Sequence, residues 1–365
     1  MINRFFKRSG LRVSISALLT CFVLSCGTDH EQYSVYEYVQ SNLIQTDKIS
    51  LEKLEQESYP FRRIKKFNDR YVINFFISRS IYVFDKAGNL IFEYLPDGSD
   101  INFTLPANFF LEGDFLHLLF SGENRVKVIN ITNSEEKFVE LQFADGQDTC
   151  DKSASFFSFI PDRGEYLVAT QKLNRDAGKQ YYESARPIVS RFDRRGNFIN
   201  GFGAFPKFYH KNHITGRSKY IASFSEGFVY VSFTHTNTVL KYDLEGGMEI
   251  IQGPKSNYMD YKLYAVDETR LTKREGASLQ DNNNHTITRV IKSAGNEYYQ
   301  AAVMRNNENR SSYEVNSSFI KFNPSNNKFS EVLLDDFYFL ISVEKDKIEY
   351  YDAKTKSIIK AKLEF

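Results

Sequence analysis

Short runs of alternating apolar and polar residues recur along this chain, each bounded by Gly, Asn or Asp. The stretch RSIYVFDKAGNLIFEY (79–94) reads as a strand, a tight turn at Ala87-Gly88-Asn89 and a second strand. RYVINFFIS (70–78) precedes it through the turn Asn68-Asp69, and PFRRIKKF (60–67) comes before that. The pattern predicts a unit of strand, turn, strand, loop, strand, turn, strand. Two markers define it: a turn into the second strand, and an Asp or Asn closing the third. An Asx side chain at a strand end bonds backbone amides two residues on and so fixes a tight turn.

Both markers recur in order. The second unit carries Gly113-Asp114 and Asn130. The third turns at Asp162–Gly164 and closes at Asp193 in PIVSRFDRRGNFINGF (187–202), which nearly repeats the first hairpin. The fourth has Glu226-Gly227 and Asp243, and the fifth Gly295-Asn296 and Asn323. The last, LLDDFYFLISVEKDKIEYYDAKTKSIIKAKLEF (333–365), carries Asp335-Asp336 and Asp352. Asp85, Asn130, Asp193, Asp243, Asn323 and Asp352 are therefore expected at equivalent strand ends.

A four-stranded unit repeated without helices leaves an apolar face on each sheet, and radial stacking buries both faces. The expectation is an all-β chain, a six-bladed β-propeller of four-stranded antiparallel blades. Residues 1–25 read as a leader and 26–58 as a tether that supplies a closing strand or part of a seventh blade. Residues 59–365 read as the propeller. Composition agrees: 33 Phe and 23 Tyr suit half-buried pleated surfaces. The absence of Trp argues against a Trp-Asp repeat propeller and against a sugar binder built on Trp platforms. With 47 Lys+Arg against 46 Asp+Glu, no basic excess points to nucleic acid.

The leader begins with Arg4, Lys7, Arg8 and Arg12 and continues in an apolar run from Val13 to Leu24, too short to span a bilayer permanently. Val23-Leu24-Ser25-Cys26 resembles the bacterial lipobox. That resemblance implies cleavage before Cys26 and lipidation there, hence a membrane partner through the anchor. Cys21 would leave with the leader, and Cys150 would remain as a single thiol with no disulfide partner. No His or Asn partner pattern surrounds Cys150, so it reads as a buried, inert thiol.

The hairpin of hydrophobic residues, Asp, Gly-Asn and hydrophobic residues is similar to that of NHL-type six-bladed propellers. Together with the lipobox, the mature chain resembles uncharacterised six-bladed propeller lipoproteins of the Bacteroidota. The resemblance implies a bacterial envelope location, at the outer membrane ahead of the inner, with the domain in the periplasm or at the cell surface. Its motifs specify blades and not chemistry.

If strands a to d of each unit alternate in direction, the a–b and c–d turns share one face. The b–c and d–a connections then share the other, and they hold every long insertion: 95–108, 171–187, 204–217, 253–286 and 304–316. Long loops on a rigid scaffold collect binding residues. The segment GAFPKFYHKNHITGRSKY (203–220) contributes Tyr209, His210, His213 and Arg217 as candidate ligand contacts. His210 and His213 have metal-ligand spacing, but no nearby Cys, Asp or Glu completes a set, so no metal and no cofactor is expected. Arg62, Arg63 and Lys65 in the first inner strand, with Lys219 and Arg289 in equivalent strands, would point basic groups into the channel and favour an anion. Nucleotide-binding, zincin and nucleophile-elbow motifs are absent. The expected function is a lipid-anchored binding or scaffold module for an envelope protein, peptide or glycan. An envelope hydrolase or lyase at the channel mouth is the alternative, with no catalytic residues singled out.

Overall fold

Hairpin by hairpin, the two-residue alternation becomes antiparallel sheet. The computed structural model describes residues 36–51, 61–75, 80–96, 106–144, 146, 148–151, 155–172, 187–206, 220–233, 236–257, 285–293, 296–306, 314–334, 338–344, 347–352 and 354–364. All of them form strands, turns or connections, with no helix among the described residues.

Two N-terminal strands, β1 (Glu37–Tyr38) and β2 (Asn42–Ser50), come first. Blade 1 follows with β3 (Phe61–Phe67), β4 (Arg70–Phe75), β5 (Ile81–Phe84) and β6 (Leu90–Tyr94). Blade 2 is β7 (Asn108–Glu112), β8 (Phe115–Phe120), β9 (Arg125–Asn130) and β10 (Glu136–Glu140). A short β11 (Asp148–Cys150) then pairs with the far end of β13 in blade 3. That blade is β12 (Phe157–Ile160), β13 (Glu165–Lys172), β14 (Val189–Asp193) and β15 (Phe198–Phe202). Blade 4 is β16 (Tyr220–Ser225), β17 (Phe228–Phe233), β18 (Thr236–Tyr242) and β19 (Met248–Gln252). Blade 5 is β20 (His285–Ser293), β21 (Glu297–Asn306), β22 (Glu314–Asn323) and β23 (Lys328–Leu334), with β1 added in parallel outside β23. Blade 6 has β24 (Tyr338–Glu344), β25 (Lys347–Asp352) and β26 (Ser357–Glu364), and β2 is its outer strand.

The ring is thus closed by β2, whose Asn42 pairs with Glu364 and whose Ser50 pairs with Ser357. The chain forms six blades, and the N-terminal stretch completes the sixth instead of adding a seventh. One sequence expectation is corrected here. Five closing residues, Asp85, Asn130, Asp193, Asp243 and Asn323, do stand at or just past the end of the third strand of their blades. Asp352 ends the second strand of blade 6, and Asp335-Asp336 lies outside the described residues, ahead of the first strand of that blade. Because β2 supplies the outer strand, the C-terminal stretch contributes only three strands, and the sequence unit there is offset by one.

Burial follows blade seams. Six apolar clusters each join two neighbouring blades. Val72, Val83, Phe109 and Leu118 lie between blades 1 and 2, and Val128, Phe159 and Phe192 between 2 and 3. Leu167, Val189, Val231 and Phe233 join 3 to 4, Tyr230, Tyr298 and Phe322 join 4 to 5, and Phe319, Tyr350 and Ile359 join 5 to 6. Ile49, Leu51, Ile73, Phe84 and Ile358 close the ring between 6 and 1. Both faces of every sheet are therefore covered, and the inner strands β3, β7, β12, β16, β20 and β24 surround an axial channel.

Candidate functional site

Antiparallel alternation puts the a–b and c–d turns of each blade at one end and the b–c and d–a connections at the other. The long connections 95–107, 173–188, 203–219, 253–284 and 307–313 are all of the second kind. So is 141–156, a d–a connection that holds β11 and that the hydrophobic pattern did not reveal. Every inner strand begins at this looped end.

A cavity of about 320 Å³ occupies the channel, lined by residues of five inner strands and the segment leading into β12. On three of these strands the lining falls near the start: Asn108 and Phe110, Ser155 to Ser158, and Phe339 with Leu340. β3 and β16 line it along most of their length, from Arg63 to Phe67 and from Ile221 to Phe224. The cavity therefore runs along the channel from the looped end toward the tight-turn end.

β3 carries the charge. Lys65 Nζ donates to the carbonyl of Phe109 at 2.9 Å and to that of Phe157 at 3.1 Å, reaching past blade 2 to blade 3. It also lies 5.2 Å from the centre of the Phe109 ring. Arg63 Nε donates to the carbonyl of Ala107 at 3.2 Å. These acceptors belong to inner strands or their lead-ins, whose channel-side edges have no neighbouring strand to pair with. Lys66 points to the opposite side of β3, toward blade 6, and pairs with Glu349 at 2.8 Å. Glu349 is buried and also accepts from Ser342 Oγ at 2.6 Å and Tyr71 OH at 3.2 Å.

Of the candidate residues, Arg63 and Lys65 both line the cavity. Arg62 and Arg289 belong to the inner strands β3 and β20. Cys26, Tyr209, His210, His213, Arg217 and Lys219 lie outside the described residues. Asn108, Ser155, Ser158 and Ser223 line the cavity without having been anticipated. The available signal was a polar residue in an otherwise apolar inner strand.

The tight-turn end offers a contrast. A surface depression between blades 2 and 3 is lined by Glu112, Asp114, Asn130 and Arg194. Its charges pair with one another or with neighbours: Arg194 lies 3.6 Å from Glu112, and Arg70 lies 2.8 Å from Asp114. Beneath it His117 is buried, stacked on Phe159 and 3.1 Å from Tyr166 OH. Burial, with Arg194 and Lys137 adding to it, pushes the imidazole down to about 3, so it is neutral at physiological pH. Cys150 is fully buried, and burial raises its thiol far above the reactive range. Among the described residues no group of three His, Cys, Asp or Glu is placed to hold a metal ion.

No protein-family model matches the chain, and no curated protein sequence matches it. Its structure is similar to that of a member of the DUF4221 family from Bacteroides vulgatus. The two share 14% identity over 89% of this chain and 98% of that one, with a TM-score of 0.59. It is also similar to a Bacteroides fragilis protein whose export is inferred, at 12% identity over 93% and 97% of the two chains and a TM-score of 0.50. A virginiamycin B lyase from Staphylococcus aureus is matched more loosely, at 10% identity and a TM-score of 0.43. The resemblance to uncharacterised Bacteroidota propellers read from the sequence holds at the level of fold.

Proposed function

We propose that the chain is a lipid-anchored binding module of the bacterial cell envelope that holds a protein, peptide or glycan on its looped face. One observation carries this reading: every long connection leaves and re-enters the ring at one end, where the inner strands around the axial cavity begin, while the other end keeps tight turns. A rigid ring with elaboration at one end has the construction of a recognition scaffold. Anchoring at Cys26 follows from the lipobox resemblance. Among the described residues no helix is long and apolar enough to cross a membrane.

The contact residues proposed are Tyr209, His210, His213 and Arg217 in the connection from β15 to β16, types that give contact area and directional hydrogen bonds. Their joint replacement by Ala should weaken capture of partners from a solubilised envelope fraction, or of glycans on an array, by well over about tenfold. Circular dichroism should stay unchanged. Capture that survives this change but is lost on altering the Arg194–Asn197 turn would place the site on the other face. For the anchor, Cys26→Ser should move the chain from the detergent phase to the aqueous phase, or leave it unprocessed. Retention of a mature Cys26→Ser chain in membranes would sink the lipoprotein reading.

A further inference from the structure

We propose that Glu331 and Tyr36 form a clamp that sets where the longest looped-face connection, 253–284, leaves the ring, and so positions it for binding. The role in binding rests on the looped-face reading, whereas the clamp stands on its own contacts. Glu331 is 2% exposed on β23, the last strand of blade 5. Its Oε1 accepts from Ser256 Oγ at 2.5 Å and from Ser318 Oγ at 2.6 Å. Its Oε2 accepts from the Asn257 amide at 2.7 Å. Two of these three donors belong to the start of the connection, and the third to β22 of the same blade. Among the described residues, neutral donors alone meet this carboxylate. A buried carboxylate so placed is costly unless its oxygens are well bonded, so Glu331 and the root of the connection hold each other in place.

The second jaw closes just upstream. Tyr36 OH donates to the carbonyl of Gln252, the last residue of β19, at 2.6 Å. Its ring lies edge-on to Phe322 and Phe329 of blade 5, with centroids 5.9 and 6.4 Å away. The strap that carries Tyr36 is itself fastened to the same blade: the amides of Glu37 and Val39 donate to the carbonyls of Asn327 and Phe329, each at 2.7 Å. Between the two jaws Gly253, Pro254 and Ser256 are buried. The end of blade 4, the outer strand of blade 5 and the N-terminal strap therefore all act on residues 252–257. Directional hydrogen bonds, one set of them to a charged acceptor, fix the heading of the connection as well as its place.

The test is hydrogen exchange of the full chain in detergent, read by mass spectrometry on peptides spanning Gln252–Asn257. Glu331→Met keeps the side-chain length and removes the acceptors. It should speed exchange there at least about tenfold and leave β21 and β22 unchanged. Glu331→Gln can turn its oxygen to the Asn257 amide and its two N–H groups to the serine hydroxyls, so it should largely restore protection. Tyr36→Phe keeps the ring and loses the hydroxyl. It should speed exchange over the same peptides, and it decides the matter should Glu331→Met fail to fold. Unchanged exchange at Gln252–Asn257 in both variants, or faster exchange spread over the whole of blade 5, overturns the clamp. Glu331→Met should also weaken partner capture, as the four-residue loop variant does. If only the loop variant loses capture, the looped-face reading stands and the positioning role falls. If capture survives both, the looped-face reading falls and exchange alone decides the clamp.

Discussion

Asp193 shows how one side chain sets a blade's outer hairpin. Its Oδ1 accepts from the amides of Arg195 and Asn197 at 2.8 and 2.9 Å, and its Oδ2 accepts from Asn197 Nδ2 at 2.8 Å. Asp85 does the same with Ala87 and Asn89 at the same distances. The bond from the Asn side chain, with the amides behind it, holds both carboxylates below their usual range. Between Asp193 and Asn197, Gly196 has φ 89°, and its carbonyl accepts from Gln142 of the preceding blade at 2.9 Å. A Cβ on Gly196 would overlap the Glu140 carbonyl, whereas one on Gly113, also at positive φ, would meet nothing. Gly113→Ala should therefore cost only backbone strain, about 1 kcal/mol. Gly196→Ala adds the lost seam contact and should cost roughly 2–4 kcal/mol. Urea unfolding of the two variants measures the difference. Equal losses would mean that the turn does not lock one blade to the next.

At the scale of elements, the sequence made the hairpins legible and left the closure of the ring obscure. Tight turns are local chemistry: Asn68, Glu226 and Asn296 take positive φ where the turn residues placed them. β2 gives a weak signal because among its nine residues only Ile49 is buried, and its partner strand lies at the opposite end of the chain. Its pairing depends on the ring and not on its own alternation. Without β2 in view, Asp335-Asp336 looked like an a–b turn, and the last unit slipped by one strand. β11 escaped notice for a similar reason, since Asp148–Cys150 is too short to show a period. The site divides along the same line. Arg63 and Lys65 stood out as charges in an inner strand, two residues apart and so on one side of it. The carbonyls they meet belong to blades 2 and 3, and only the assembled ring brings them within reach.

For the whole molecule, stability resides in six seams and not in a central core, because the axis is a channel. Each blade shares one apolar cluster with the blade before it and another with the blade after it. No blade can leave without opening two seams, so a weakened seam should lower the stability of the entire ring. Phe84 is buried in the seam between blades 6 and 1, and Phe322 in the seam between blades 4 and 5. Phe84→Ala and Phe322→Ala should each cost about 3–5 kcal/mol. They lie in separate clusters with no common members, so their losses should add in the double variant. In scanning calorimetry all three variants should show one transition at lowered temperature, with calorimetric and van't Hoff enthalpies equal. The β2 closure makes Phe84 the stricter test, since its seam is the one where the two ends of the ring meet. A second transition appearing with Phe84→Ala alone would mean that blades 6 and 1 separate while the rest stays folded. In that case the ring would behave as an open stack of blades, and the β2 pairing would not be what makes it one cooperative unit.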